Sequence, residues 1–193
     1  MTFFETIKIE NGKAVNLEYH QRRYEKTLLD LGRAKPQNLV DLIATPQDGL
    51  YRCRFVYDLV GGYEVEFLSY KKRDIKKLKL VEADLAYSYK SSDREALDEL
   101  FAKREECDDL LFVQGGLVSD TTIANVAFFD GSVWLSPKKP LLEGTTRARL
   151  LDEKKIHLAD IEANDLKRFK KIALLNAMIG FDILQKSVEE IVC

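Results

Sequence analysis

One stretch of the chain, residues 108–151, constrains the possible fold more than any other. Apolar runs of strand length, LLFV and VAFF, lie among tight-turn signals at Gly115-Gly116 and Asp130-Gly131. A third short strand is predicted at 133–135, and we expect Ser136-Pro137 to end its pairing because proline has no backbone N–H. The stretch therefore predicts a β-rich unit, which then leads through LLEGTTR into a helical pattern.

The start of this predicted helix is a candidate anion site. Gly144, Thr145 and Thr146 would place backbone N–H groups and two hydroxyls at the positive end of the helix dipole. Phosphate is the usual guest of such a site. An ordinary helix N-terminus explains the same three residues without any ligand, so both interpretations stay open here.

The elements VSDTTIAN, SP and LLEGTTR occur in this order and at this spacing. As a set they resemble the core of the class IV aminotransferases, the fold-type IV pyridoxal 5'-phosphate enzymes. That family includes branched-chain and D-amino-acid transaminases and 4-amino-4-deoxychorismate lyase. The resemblance covers nearly the whole chain and implies an α+β, D-amino-acid aminotransferase-like fold of two domains. A small N-terminal α/β domain is expected at residues 1–80, and a larger β-rich cofactor-binding domain at residues 81–193.

The residue patterns agree with this division into an α/β half and a β-rich half. The first half reads as a hairpin with an Asn11-Gly12 turn, a helix, a short helix and a second hairpin. The second half adds three helices and an apolar tail of strands or strand and turn. The predicted ranges in chain order are 2–17, 18–31, 36–44, 50–70, 93–104, 146–153, 164–169 and 171–184.

Lys90 stands between a tyrosine-flanked segment and the start of a predicted helix. An amine that is partly desolvated near cationic or dipolar groups has a lowered pKa and attacks aldehydes readily. Many lysines could satisfy that description, and the resemblance selects Lys90 as the Schiff-base lysine, some thirty residues ahead of the acid-bearing strand. The run Lys90-Ser-Ser-Asp-Arg is closer to the lyase branch of the family than to its branched-chain transaminases.

The resemblance also implies the residues that hold the cofactor phosphate. His20-Gln-Arg-Arg23 is similar to the family's His-x-x-Arg, and a guanidinium fork suits a phosphate dianion. Without a ligand, Arg23 would be one more surface arginine. Thr145 and Thr146 would hold the other side of the phosphate, and Asn176 would help to complete the phosphate-binding site.

Asp120 stands where most relatives carry glutamate. In the family this acid pairs with the protonated pyridine nitrogen, which makes the cofactor an electron sink. Aspartate is shorter by one methylene than glutamate. The backbone could approach the cofactor ring more closely, a water could bridge the gap, or the cofactor could be a weaker electron sink, and the sequence leaves all three open. A turn-forming aspartate is the alternative. Asn125 could reach the cofactor or could satisfy buried backbone groups.

Arg52 and Arg54 share one face of a predicted strand because side chains alternate with a period of two. Their guanidinium groups are candidates for binding the substrate carboxylates. Plain exposed strand charge is an equally good interpretation.

Composition excludes several other classes of function. The formal net charge is −2, so nothing indicates nucleic acid or an anionic membrane as a partner. No signal peptide or membrane-length apolar run is present. Three scattered cysteines predict free thiols in a reducing cytoplasm. The only two histidines, His20 and His157, lack companions at ligand spacing, so no metal site is expected.

The resemblance thus implies a cytoplasmic, homodimeric pyridoxal phosphate enzyme, with 4-amino-4-deoxychorismate lyase as the predicted activity. That reaction releases p-aminobenzoate and pyruvate in folate synthesis. A transaminase for branched-chain or D-amino acids is the first alternative, and a non-catalytic relative that kept the fold is the second. Relatives usually carry an extra strand and loop before the Phe-Glu-Thr-Ile strand. Its absence predicts a substrate mouth that is trimmed or completed by a partner subunit.

Overall fold

The computed structural model describes residues 1–32 and 34–192 and divides them into two compact units. The first unit contains Met1–Lys72 and Tyr89–Asp93, and the second contains Arg73–Ser88 and the chain from Arg94 onward. The domain boundary that we placed at residue 80 stays a prediction. The first long segment of the first unit ends at Lys72, and Arg73 and Lys76 of the following segment hydrogen-bond to Asp108 within the second unit.

The first unit is built on an antiparallel sheet in the order β2-β1-β3-β4. Helix α1 follows the first hairpin, as predicted, and ends at Gly32, whose N–H donates to the carbonyl of Leu28. The elements of this unit are β1 (Thr2–Glu10), β2 (Lys13–Ala14), α1 (Leu17–Leu31), α2 (Leu39–Leu42), β3 (Leu50–Asp58) and β4 (Tyr63–Ser69).

Residues 89–93 join this unit through β1. The Phe4 N–H donates to the Lys90 carbonyl and the Ser92 N–H donates to the Thr2 carbonyl, each at 2.9 Å. Phe3 and Ser91 form an antiparallel bridge between these two hydrogen bonds. The backbone of the predicted Schiff-base lysine is therefore fixed to the first strand of the chain.

The core of the first unit lies on one face of the sheet. The odd-numbered residues of β1 from Phe3 to Ile9 are buried, as are alternate residues of β3. They pack with Tyr24 and Leu28 from α1. The period of two in these strands thus determines which side chains meet the helix.

The second unit contains a five-stranded sheet, β10-β9-β8-β11-β12, and a three-stranded sheet, β5-β6-β7. Most residues of β6, β8 and β11 are buried, which accounts for their nearly unbroken apolar sequences. The strands are β5 (Leu78–Glu82), β6 (Asp109–Gln114), β7 (Leu117–Thr121), β8 (Asn125–Phe129), β9 (Trp134–Pro137), β10 (His157–Ala159), β11 (Lys171–Asn176) and β12 (Gly180–Ile183).

The helices of the second unit are short. They are α3 (Glu95–Ala102), α4 (Thr145–Asp152), a 3₁₀ helix (Ala163–Arg168) and α5 (Val188–Ile191). The predicted helix at 164–169 is therefore a 3₁₀ helix, and α5 was not predicted. The predicted helix at 36–44 is reduced to the four residues of α2.

Strand β9 corrects the expectation that Ser136-Pro137 ends its pairing. Pro137 aligns with Ala159 of β10 in a parallel register, and the next residue, Lys138, donates its N–H to the Ala159 carbonyl. Proline needs no hydrogen bond of its own here, because the following residue supplies the donor. The short strand β10 had no sequence signal.

The α+β class predicted from the sequence is confirmed by this mixture of helices and sheets. Cys53 is a free, buried thiol, in agreement with the prediction, and Cys107 is buried, whereas Cys193 lies outside the described residues. Among the residues that the structure describes, no helix is long and apolar enough to cross a membrane.

Candidate functional site

The first unit contains a hydrogen-bonded group of three residues, Glu5, His20 and Arg23. Glu5 lies on the core face of β1 and is fully buried, and His20 on α1 is 1% exposed. Arg23 donates from Nε to Glu5 Oε1 at 2.8 Å and from Nη2 to Glu5 Oε2 at 2.6 Å. His20 Nδ1 lies 2.6 Å from Glu5 Oε2. The three-residue spacing in the helix aims both side chains at the same carboxylate.

The pKa values show which partner compensates the buried carboxylate. Burial by itself would raise the pKa of Glu5, but the Arg23 charge and the hydrogen bonds of His20 and Arg23 lower it to about 2. Burial lowers the pKa of His20 against the opposing effect of Glu5, so the imidazole is neutral at pH 7. Glu5 therefore depends chiefly on Arg23 for its countercharge.

This pairing predicts that Arg23→Ala will destabilise the protein. Removing one partner of a buried ion pair leaves the other charge uncompensated and costs about 3–5 kcal/mol. The sequence had assigned Arg23 to the cofactor phosphate, with a surface arginine as the alternative, and neither interpretation includes a buried partner. Urea denaturation at pH 7 measures the loss. Arg22→Ala is the matched control, since Arg22 is exposed and lies over the Tyr19 ring. Equal stability of the two variants would contradict the assignment.

Lys90 is half-buried, and its Nζ lies 4.6 Å from the centroid of the Phe4 ring. The guanidinium carbon of Arg54 lies 4.7 Å from the same centroid. Phe4 is only 7% exposed, because these two cations cover it. The aromatic ring attracts cations through its quadrupole. Phe4 thus fixes the predicted Schiff-base amine and one predicted substrate-binding arginine at a single ring.

Arg52 and Arg54 occupy alternate positions of β3 and point to the face opposite the core. Arg52 is exposed and Arg54 is half-buried. No carboxylate among the described residues lies within salt-bridge distance of either guanidinium group. Their donors are consequently available for an anionic ligand.

Asp120 is the centre of the candidate site in the second unit. It lies within strand β7 and is 3% exposed, so it is not the turn residue of the alternative interpretation. Asn125 Nδ2 donates to Asp120 Oδ1 at 2.9 Å, and the Leu142 N–H donates to Asp120 Oδ2 at 2.9 Å. Each oxygen accepts from a donor, and a carboxylate oxygen can accept more than one hydrogen bond.

Burial raises the pKa of Asp120 to about 6, against the opposing effects of its hydrogen bonds and of the Arg147 charge. The ordinary pKa is 3.8, so the stability that this group contributes is present below pH 4 and is lost as the pH rises through 6. At about 1.4 kcal/mol per pKa unit, the loss is about 3 kcal/mol. A cation beside Asp120 would therefore stabilise the ionised form of its carboxylate.

A pH series of urea denaturation on the cofactor-free protein tests this raised pKa. We expect the free energy of unfolding of wild type, relative to that of Asp120→Asn, to fall by about 3 kcal/mol between pH 4 and pH 8. Taking the difference removes the pH effects of all other groups. A difference that stays constant with pH would contradict the raised pKa.

Helix α4 begins beside this carboxylate and leaves its first donors open. Its first residues, Thr145 and Thr146, are 6% and 5% exposed, and neither side chain has a hydrogen-bond partner among the described residues. The first N–H with an acceptor in the helix is that of Ala148, which donates to the Gly144 carbonyl. Free N–H groups and two hydroxyls without a protein partner form a concentrated set of donors suited to an anion.

Gly144 permits the close approach between the start of α4 and Asn125. A Cβ atom at residue 144 would lie 1.9 Å from Asn125 Oδ1. Asn125 Nδ2 also donates to the Leu142 carbonyl at 2.8 Å. Asn125 therefore ties Asp120 to the segment that enters the helix, which answers the question that the sequence left open.

Gly144→Ala is expected to displace Asn125 and to destabilise the protein by about 1–3 kcal/mol, the usual cost of overpacking. Thermal unfolding measures the loss. The double variant Asn125→Ala/Gly144→Ala should lose less than the sum of the single losses, because the clash disappears with the amide. Additive losses would show that the close contact does not matter.

Asn176 has a different arrangement from the predicted phosphate ligand. Its Oδ1 accepts the N–H groups of Met178 and Ile179, and its Nδ2 donates to the Ile123 carbonyl at 3.3 Å. These bonds close the turn between β11 and β12 and reach the segment after Asp120. Binding of phosphate by Asn176 itself stays a prediction.

The predicted site residues are thus distributed over both units. Arg23, Arg52, Arg54 and Lys90 belong to the first unit, whereas Asp120, Thr145, Thr146 and Asn176 belong to the second. Their roles stay predictions. Three further residues contact or position the predicted site residues but had no role assigned from the sequence: Glu5, His20 and Arg147. Arg147 is 6% exposed and anchors α4 by donating from Nη2 to the Pro137 carbonyl at 2.7 Å.

A signal for these three residues existed in the sequence motifs. Glu5 belongs to the Phe-Glu-Thr-Ile strand, His20 to His-x-x-Arg, and Arg147 to the segment LLEGTTR. A charged residue at a buried strand position indicates a buried partner. The partner could not be identified without the tertiary contacts.

The family model described as amino-transferase class IV matches residues 83–183, about half of the chain. An uncharacterised protein of Haemophilus influenzae is 38% identical over 184 residues, which cover 92% of this chain and 97% of that protein.

Two solved structures illustrate the range of similarity. A proposed 4-amino-4-deoxychorismate lyase of Haemophilus somnus 129PT has a TM-score of 0.86 and 40% identity, covering 93% of this chain and 97% of that one. A hypothetical aminotransferase of Mycobacterium tuberculosis in its PLP-bound form has a TM-score of 0.76 and 19% identity, covering 96% and 80%. The second similarity supports the fold alone.

Proposed function

Because the chain belongs to the class IV aminotransferase family, whose fold-type IV architecture it shares, we propose that it is a pyridoxal phosphate-dependent 4-amino-4-deoxychorismate lyase. The observation that carries this proposal is the pairing of a buried carboxylate, Asp120, with an open helix start whose threonine hydroxyls lack protein partners. A carboxylate and an anion cup side by side match a ligand with a basic ring nitrogen and a phosphate.

The residues present fit such a cofactor. Thr145 and Thr146, with the free N–H groups of α4, would donate hydrogen bonds to its phosphate. Asp120 would favour a proton on the ring nitrogen. Burial raises the pKa of Asp120 to about 6, and a positively charged ring beside it would offset this unfavourable effect of burial on the carboxylate. When bound, the cofactor supplies an electron sink for a carbanion.

The family resemblance assigns the remaining roles to Lys90 and Arg23. Lys90 Nζ would form the covalent bond to the cofactor aldehyde and later move protons as base and acid. Arg23 would contribute its positive charge to the binding of the phosphate. Because Glu5 takes the Nε edge in a two-point contact, the orientation of the guanidinium is fixed before any ligand arrives.

Arg52 and Arg54 favour the lyase over a branched-chain transaminase. The lyase substrate carries two carboxylates, whereas a branched-chain amino acid carries one. Two guanidinium groups without carboxylate partners on one strand face suit a dianion. The 40% identity to the proposed lyase of H. somnus and the Lys-x-x-Asp-Arg run support the same choice.

The decisive experiment supplies 4-amino-4-deoxychorismate and measures p-aminobenzoate and pyruvate in equal amounts. A parallel assay with 2-oxoglutarate and branched-chain or D-amino acids tests the transaminase alternative. Transamination without release of p-aminobenzoate would replace the lyase proposal. A purified protein with no absorbance band that shifts on borohydride addition would instead support the non-catalytic relative.

The homodimer is also part of the proposal. Light scattering on the purified protein should show twice the mass of the 22.2 kDa chain. A monomer that turns over substrate would remove the need for a partner subunit at the substrate mouth.

A further inference from the structure

The segment between Asp120 and Asn125 is a tight turn, residues 121–124, which we call the β7–β8 turn. The Thr121 N–H donates to the Ala124 carbonyl at 2.9 Å, and the Ala124 N–H donates to Thr121 Oγ1 at 3.1 Å. The turn thus connects the two residues that hydrogen-bond to each other at 2.9 Å. Any shift of the turn changes the position of the Asp120 carboxylate.

Three side chains from outside hold this turn. Arg94 Nη2 donates to the Thr122 carbonyl at 2.9 Å. The Thr122 hydroxyl donates to Asp109 Oδ1 at 2.5 Å. Asn176 Nδ2 donates to the Ile123 carbonyl at 3.3 Å. The middle of the turn is therefore fixed both through its carbonyl groups and through its threonine side chain.

Arg94 is itself fixed in place. Its guanidinium carbon lies 5.7 Å from the centroid of the Tyr87 ring, and Nη1 donates to Tyr87 Oη at 3.3 Å. The nearest carboxylate, that of Asp98, is 4.0 Å from Nε. Arg94 therefore directs its shortest hydrogen bond at the backbone of the turn rather than at an acid.

Asp109 shows that this support has a cost in stability. It is fully buried, its Oδ2 has no hydrogen-bond partner, and burial raises its pKa. A buried polar atom without a partner destabilises a protein. Such local costs are typical of residues that serve a site rather than the fold.

We propose that Arg94 is a positioning residue that sets the place of the Asp120 carboxylate through the β7–β8 turn, with Asp109 and Thr122 as its counterpart on the other side. The inference rests on the proposed function, in which Asp120 faces the ring nitrogen of the cofactor. Arg94 lies four residues after Lys90 in the chain, so one short segment carries both residues.

The test compares two probes, pyridoxal phosphate and its 1-deaza analogue, in which carbon replaces the ring nitrogen. Only the first can pair with Asp120. Their dissociation constants are measured through quenching of Trp134, the only tryptophan. Wild type should bind pyridoxal phosphate about tenfold or more tightly than the analogue, as a charge-assisted contact implies.

Arg94→Gln should lower this preference at least about fivefold while leaving the affinity for the analogue within about twofold. Arg104→Gln is the matched control: Arg104 also lies over an aromatic ring, that of Phe101, and donates to a carbonyl, but not to this turn. Its preference should equal that of wild type. Circular dichroism confirms folding, and Arg94→Lys replaces the glutamine variant if that variant unfolds.

The outcomes separate the two proposals. If the Arg94 variants keep the wild-type preference for pyridoxal phosphate, or lose affinity equally for both probes, the positioning role is overturned and the proposed function stands. A wild type that binds neither probe would overturn the proposed function together with this inference.

Discussion

Lys90→Ala is expected to abolish covalent attachment of the cofactor and to lower turnover by roughly a thousandfold or more, since a group that forms a covalent bond is removed. The protein should remain folded, because the backbone hydrogen bonds that join residues 89–93 to β1 do not depend on the Lys90 side chain. Borohydride reduction followed by peptide mass spectrometry measures the effect. In wild type the pyridoxyl adduct should lie on the Lys90 peptide.

Lys26→Ala is the matched control. Lys26 also lies against an aromatic ring, with its Nζ 5.9 Å from the centroid of Tyr89, but it pairs with Asp30 on the surface of α1. This variant should keep the adduct and full turnover. An adduct on any lysine other than Lys90 would show that the family motif was aligned to the wrong residue.

The second large effect is expected at Asp120. Asp120→Asn keeps the shape but removes the charge that favours a protonated ring nitrogen, so turnover should fall by about one to two decades. It also turns an NH₂ group toward one of two donors, Asn125 Nδ2 or the Leu142 N–H. The maximum rate should fall more than the affinity for substrate.

Asp120→Glu restores the usual acid of the family but adds a methylene to a pocket in which the residue is 3% exposed. Overpacking of this kind costs about 1–3 kcal/mol, so we expect tolerated or modestly reduced turnover. Asp130→Asn is the control for loss of an aspartate charge, because Asp130 binds only the backbone of its own turn. Wild-type turnover in Asp120→Asn with cofactor bound would show that the charge has no role.

Much of the fold could be predicted because local sequence determined it. The Asn11-Gly12 and Gly115-Gly116 turns, the helix ending at Gly32 and the alternation of β1 and β3 all arise from backbone preferences and side-chain period. Errors occurred where long-range contacts overrode local preference. Strand β10 exists only because β9 lies beside it, and Pro137 pairs because Lys138 supplies the hydrogen bond.

The sequence by itself determined the family, most of the longer elements and the residue types of the candidate site, since motifs preserve spacing along the chain. Only the tertiary structure decided which charges meet. It showed that Arg23, which the sequence assigned to the cofactor phosphate, is the partner of a buried glutamate, and that Asn125 hydrogen-bonds to Asp120. Partners fifteen or more residues apart, such as Glu5 with His20, leave no periodic signal, because their contact depends on how strand and helix pack.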